Sequence, residues 1–209
     1  LMAVVLFLVK PLKENTNGFL AKNGLKRSIL LLFLATLPLM SMGFFLQYAR
    51  LVDFSRQLEI IAFTNIIFAF LLLLSDRKKS RRELSSTSAR DVFIIGIWQS
   101  FAVFPGTSRS GASITGARFL GYNRKDSIII SVILGIPSIT ISSSYIALKF
   151  INSQSKIDFD LAIYATLLSF IFSYLALKFF VTLGEAFSFT PYVIYRIFLG
   201  ITLLTILYI

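Results

Sequence analysis

The sequence contains no cysteine and no histidine, and it has only ten Asp plus Glu against 21 Lys plus Arg. Without cysteine there is neither a disulfide framework nor a thiolate metal site. Without histidine the commonest general base and the commonest transition-metal ligand are both missing. Charge is scarce overall: 15% of the 209 residues are charged and 56% are hydrophobic. A soluble domain carries about 25% charged residues. A disordered chain, a secreted disulfide scaffold and an ordinary cytosolic enzyme are therefore excluded. The fold class that remains is all-α, a polytopic integral membrane protein with one membrane domain over 1–209. The excess of basic residues follows from loop asymmetry in such a protein, so nucleic acid is not an expected partner.

A membrane-spanning helix needs about 20 mostly apolar residues. Residues 28–46, 58–74, 127–148, 161–181 and 191–209 meet this requirement, with Pro38 and Gly43 as kink positions in the first and Pro191 at a first helical turn. Residues 1–9 are apolar but too short, and read as the tail of a truncated span. The stretch 92–120 behaves differently. Its apolar run is broken by Pro105-Gly106-Thr107-Ser108-Arg109-Ser110-Gly111, and neither half crosses about 30 Å of hydrocarbon alone. It is either one broken span or a re-entrant hairpin that returns to its starting side.

Charge counting favours the hairpin. Lys10, Lys13, Lys22, Lys26 and Arg27 precede the first full span, and Arg77, Lys78, Lys79, Arg81, Arg82 and Arg90 follow the second. If 92–120 returns, Arg118, Arg124 and Lys125 join them, giving 14 basic residues on the cytoplasmic side. Only Arg50, Arg56, Lys149 and Lys156 then lie outside. Lys178 reads as a snorkelling anchor and Glu185 as a solvated turn residue.

Arg109 sits where the broken segment is deepest. An arginine at the bilayer centre costs at least about 2.5–3.5 kcal/mol on insertion scales, so such charges face a cavity and a partner. Thr107, Ser108, Ser110, Ser113 and Thr115 place five hydroxyls around it, and Gly106 and Gly111 permit close backbone approach. A helix beginning near 110–112 would direct its unpaired N–H groups and positive dipole end at the loop. Guanidinium, hydroxyls and a helix N-terminus together suit an anion, phosphate above all. The competing reading is a structural loop whose arginine pairs with a buried carboxylate. Gln99, a turn or two before the loop, could hydrogen-bond either the phosphate or a neighbouring helix. Arg196 on the last span could approach the cavity or snorkel.

The run from Gly96 through Pro105-Gly106-Thr107-Ser108-Arg109-Ser110-Gly111-Ala112-Ser113 closely resembles the second signature of the bacitracin-resistance type undecaprenyl-diphosphatases, Pro-Gly-x-Ser-Arg-Ser-x-x-Thr. Only Ser113 departs, standing where that pattern has Thr. The resemblance continues through Leu134-Gly135-Ile136-Pro137 and Pro191-Tyr192-Val193-Ile194-Tyr195-Arg196. It implies a hydrolase that converts undecaprenyl diphosphate to the monophosphate, recycling the lipid carrier of peptidoglycan synthesis. It also implies two inverted repeats, each with a re-entrant hairpin, in the bacterial inner membrane with the site open to the periplasm. Carried over by position, Arg109 binds the diphosphate, with Ser108, Ser110 and Ser113 as further catalytic candidates. Gly106, Thr107, Gln99 and Arg196 are the substrate-binding candidates.

The family's other signature, a Glu-x-x-x-Glu stretch followed by a Ser/His loop, is expected to precede Leu1, so these residues alone read as an inactive fragment. A divalent cation such as Mg or Ca is implied by the family, yet no ligands for it are identifiable here. The expected partners are undecaprenyl diphosphate, membrane lipids and a second copy of the chain in a homodimer. The alternative function is a transporter or flippase of phosphate-bearing polyprenyl lipid, since broken helices around a midplane anion site suit alternating access. Lipid phosphatases that depend on histidine are excluded.

The hairpin reading has a direct test. Single cysteines replacing Arg82 and Arg124 in this cysteine-free chain are expected to behave alike, both protected from an impermeant thiol reagent in intact cells. Labelling of one but not the other would refute the hairpin.

Overall fold

A computed structural model describes residues 1–14, 25–152 and 159–209. Lys22 and Lys156 lie outside the described residues, as do the side chains of Lys10, Lys13, Arg27 and Glu185. The chain is all-α. Helix α1 covers Met2–Glu14 and runs beyond the apolar stretch 1–9. Helix α2, Leu25–Tyr48, carries Pro38 inside it. A short α3, Val52–Ser55, leads to α4, Leu58–Asp76. Then come α5, Ala89–Ser100, and α6, Arg109–Phe119. Three long helices close the described chain: α7, Arg124–Asn152; α8, Phe159–Ala186; and α9, Thr190–Tyr208.

Five of these are long and apolar enough to cross a bilayer: Ser28–Tyr48, Leu58–Asp76, Arg124–Phe150, Asp160–Gly184 and Thr190–Tyr208. The protein is a multi-pass membrane protein. Its large outward side chains fit lipid, as on α8, where Phe172 is 66% exposed and Phe179 65%.

The interrupted stretch forms two short antiparallel helices. With 12 and 11 residues, α5 and α6 reach only roughly 18 Å and 17 Å. Helix α5 starts three residues before the apolar run, because Ser88 and Asp91 form a reciprocal capping box: the Ser88 hydroxyl accepts from Asp91 N at 3.2 Å, and Asp91 Oδ2 accepts from Ser88 N at 2.8 Å. A 3-10 turn over Phe101–Val103 ends the descent. Helix α6 starts at Arg109, one residue before the expected 110–112, and it is the most enclosed element: Gly111 through Arg118 are all buried. On one side Ala117 joins Ile95, Ile129 and Leu134. On the other, Ile114 joins Leu72, Ile128 and Val193.

The two ends of the hairpin meet. Arg82 N donates to Gly121 O at 3.1 Å, and Asn123 N donates to Arg82 O at 3.1 Å. The chain thus returns to the end at which it entered. Ion pairs lock this base. Arg82 grips Asp91 through two nitrogens at 2.9 and 2.6 Å, and Tyr122 Oη donates to the same carboxylate at 3.0 Å. Arg124 grips Asp76 likewise, at 2.7 and 3.0 Å, while Phe189 N donates to Asp76 Oδ2 at 3.1 Å. Buried Arg118 donates to the carbonyls of Asp76, Lys78 and Tyr122 and to the Ser80 hydroxyl. One polar knot therefore ties the C-terminal end of α4, both ends of the hairpin and the α8–α9 turn.

Burial raises the Asp91 pKa, but the hydrogen bonds from Arg82, Ser88 and Tyr122 outweigh it and hold the carboxyl down at about 2. Burial pushes the Tyr122 hydroxyl up to about 12. Asp91 couples stability to pH in the acid range. Its folded pKa lies below the unfolded value of about 3.9, so its stabilisation is present above pH 4 and is lost as pH falls towards 2. Asp91→Asn is expected to destabilise by roughly 1–3 kcal/mol at pH 7. The check is thermal unfolding in detergent: from pH 5 down to pH 2.5 the variant should lose less stability than the unaltered protein.

Candidate functional site

The site is built on the bend between α5 and α6. At Gly106 the backbone takes φ +92°, and a Cβ there would lie 2.3 Å from Ile61 O and 2.5 Å from Thr64 Oγ1 on α4. Only glycine fits, because the loop lies directly on another helix. The Thr64 hydroxyl is within donating distance of Pro105 O, at 2.6 Å, as well as of Ile60 O in its own helix, at 2.7 Å. Ser108 also has a positive φ, +67°, unusual for a residue with a side chain. It is the N-cap of α6, its hydroxyl accepting from Gly111 N at 3.2 Å. The strained serine and the glycine together turn the chain sharply enough to start a new helix in the interior.

Arg109 is the first residue of that helix and reaches across to α7. Its Nη1 donates to Gly135 O at 2.9 Å and to the Ser138 hydroxyl. Gly135 lets the guanidinium come this close: a Cβ on it would lie 3.0–3.3 Å from the guanidinium, tight enough to shift it by tenths of an ångström. Among the described residues no carboxylate lies within ion-pair distance of Arg109. The competing expectation is a loop arginine paired with a buried acid, and the described residues show no such acid as the partner of Arg109.

Arg109, Ser110 and Ser131 face a cavity of about 410 Å³ whose other walls include Val4, Val132 and Phe180. Ser110 is exposed to it, and its hydroxyl lies 3.4 Å from that of Ser108. The first-turn N–H groups of α6 have no acceptor within the helix. A guanidinium, two serines and a helix N-terminus thus meet beside an apolar chamber. An amphiphile with an anionic head has matching chemistry.

The other candidates lie behind this surface. Ser113, fully buried, places its hydroxyl 3.2 Å from Gln99 Oε1 and 3.1 Å from Arg109 O. Gln99 is itself fully buried, and its Nε2 has no partner among the described residues. Thr107 is buried, and its hydroxyl has no partner among the described residues. Arg196 is 2% exposed and does not snorkel; it donates from Nη2 to Gly106 O and Thr107 O. Asn65 on α4, whose side chain holds Arg196, was not among the sequence candidates. An asparagine inside the otherwise apolar run of α4 is the signal that marks it.

Among the described residues there is no group of three or more His, Cys, Asp or Glu that could hold a divalent cation. The atoms at the cavity are mostly donors, from guanidinium, amide and hydroxyl groups, and they suit an anion.

The sequence profile of the family described as bacitracin resistance protein BacA matches residues 1–202. An undecaprenyl-diphosphatase of Ruegeria pomeroyi is 40% identical over 179 residues, covering 85% of this chain and 67% of that protein. Those of another Ruegeria species and of Pelagibacter ubique are 37% and 35% identical, each aligned over all of this chain and over 80% and 79% of their own lengths. With a family profile matching 202 of the 209 residues and relatives 35–40% identical along most of the chain, the chain belongs to the BacA family of bacitracin-resistance proteins.

Proposed function

We infer that this chain is an undecaprenyl-diphosphate phosphatase of the bacterial inner membrane, with its cavity open towards the periplasm. The carrying observation is Arg109: a membrane-embedded guanidinium with no carboxylate partner among the described residues, at a helix N-terminus and beside an apolar cavity. The anionic head fits the polar floor, and the first isoprene units fit the apolar walls. The basic residues Arg82, Arg118 and Arg124 gather at the base of the hairpin, which supports a cytoplasmic base and a tip directed the other way. The names of the relatives favour hydrolysis over the transport alternative.

In the reaction an oxygen nucleophile, ultimately water, bonds to the terminal phosphorus while the bridging P–O bond breaks. The products are undecaprenyl phosphate and inorganic phosphate. Phosphoryl transfer depends mainly on positioning and on stabilising charge over the phosphoryl oxygens. Arg109 supplies a planar fork for two of those oxygens, with Ser108 and Ser110 as hydroxyl donors beside it. Keeping Arg109 out of an ion pair leaves its charge for the substrate.

Two variants, assayed in the intact protein to which these residues belong, test this reading. Arg109→Lys keeps the charge but loses the fork, and is expected to lower phosphate release from undecaprenyl diphosphate by about 10²–10³-fold. Near-normal turnover would mean that Arg109 only holds the loop together. Gly135→Ala puts a methyl 3.0–3.3 Å from the guanidinium, displacing it by tenths of an ångström. We expect about a tenfold loss of turnover with helical circular dichroism unchanged. Unchanged turnover would show that the Arg109–Gly135 contact does not set the geometry.

A further inference from the structure

Arg196 is a buried cation that the hydrolytic reading leaves without a task. It lies on α9 at 2% exposure, facing Asn65 on α4 at 6%. The two side chains clasp each other: Arg196 Nε donates to Asn65 Oδ1 at 2.7 Å, and Asn65 Nδ2 donates to Arg196 O at 2.8 Å. This fixes the guanidinium plane. Nη2 then reaches two successive carbonyls of the bend, Gly106 O at 2.5 Å and Thr107 O at 3.0 Å. Nη1 is buried without a partner among the described residues. It lies against the first turn of α6, where a Cβ on Gly111 would be 3.2 Å from it.

Two consequences follow from this geometry. Carbonyl oxygens repel a phosphate, and here two carbonyls of the bend, those of Gly106 and Thr107, are drawn towards α9. Because the peptide unit is planar and trans, turning the Thr107 carbonyl to Arg196 turns the Ser108 N–H the opposite way. The second consequence is electrostatic. The partner of Arg196 is a neutral amide, and among the described residues no carboxylate lies within ion-pair distance. A buried charge left unpaired is costly unless something of opposite sign comes near.

We propose that Asn65 and Arg196 are a positioning pair for the diphosphate: Arg196 holds the Gly106 and Thr107 carbonyls away from the anion, and Asn65 orients it without cancelling its charge. The pair acts through the loop and through the field at the start of α6, not by touching the reacting atoms. This rests on the reading of the Arg109 cavity as the diphosphate site.

Asn65→Asp is the discriminating variant. It keeps an acceptor for Nε at almost the same shape while placing a negative charge on Arg196. Inorganic diphosphate is the binding probe, followed by the rise in melting temperature of the full chain in detergent. Undecaprenyl diphosphate is the kinetic probe. The expected result is about a tenfold weaker hold on inorganic diphosphate and a tenfold higher KM, with kcat reduced less and the unliganded melting temperature retained. Arg196→Lys, whose point charge cannot span Asn65 and both carbonyls, is expected to lower kcat/KM by about 100-fold.

If Asn65→Asp folds and binds inorganic diphosphate as tightly as the unaltered protein, the proposal is overturned. Should that variant not fold, unchanged KM and diphosphate binding in Arg196→Lys overturns it equally. Arg109→Lys separates the two readings: weakened binding there, with Asn65→Asp unaffected, leaves the hydrolytic site standing and removes the positioning pair. No stabilisation of the unaltered protein by inorganic diphosphate removes both.

Discussion

A backbone that stops being helical among packed apolar helices must find partners for its polar groups, and the bend at 104–109 finds them in side chains from other helices. Thr64 is in reach of the Pro105 carbonyl; Arg196 takes those of Gly106 and Thr107. The Phe104 carbonyl accepts from Thr107 N, closing a turn within the loop. The rest of the site follows from this satisfaction. Without it α6 could not begin inside the protein, and Arg109 would have no helix N-terminus to stand on. The polar residues of α4 and α9, which interrupt otherwise apolar helices, are the anchors that make an interior loop possible.

The arginines divide into two populations by what they face. At the base of the hairpin, Arg82 pairs with Asp91 nine residues on, and Arg118 and Arg124 pair with Asp76, more than 40 residues back. These bonds are structural, and carboxylates neutralise them. Arg109 and Arg196, at the bend, are held by carbonyl, hydroxyl and amide groups instead. Neutral partners orient a guanidinium while leaving its field intact. The same side chain thus serves stability at one end of the hairpin and anion recognition at the other, and the difference lies in the charge of its partner.

The hydroxyls show a similar division. Ser110 faces the cavity, with the Ser108 hydroxyl 3.4 Å from its own, whereas Ser113 and Thr115 turn inward and bond to Arg109 O and Gly111 O. Residues four apart on one helix face often share a role. Here the first turn separates them, because α6 is enclosed by α4, α5 and α7 as soon as it is one turn long.

Composition and run length in the sequence determined the membrane class, the long helices and the place where one stretch is too short and broken to cross. Pro105-Gly106 and the Ser/Arg run marked the bend, because glycine freedom, proline stiffness and an intramembrane charge are local properties. Asn65, Gly135 and Ser138 became part of the site only in three dimensions. Their partners lie 131, 26 and 29 residues away, and no local pattern encodes which helix a guanidinium will meet. The burial of Gln99, Thr107, Ser113 and Arg196 was likewise decided by packing, since an enclosed helix hides faces that its sequence alone leaves equivalent.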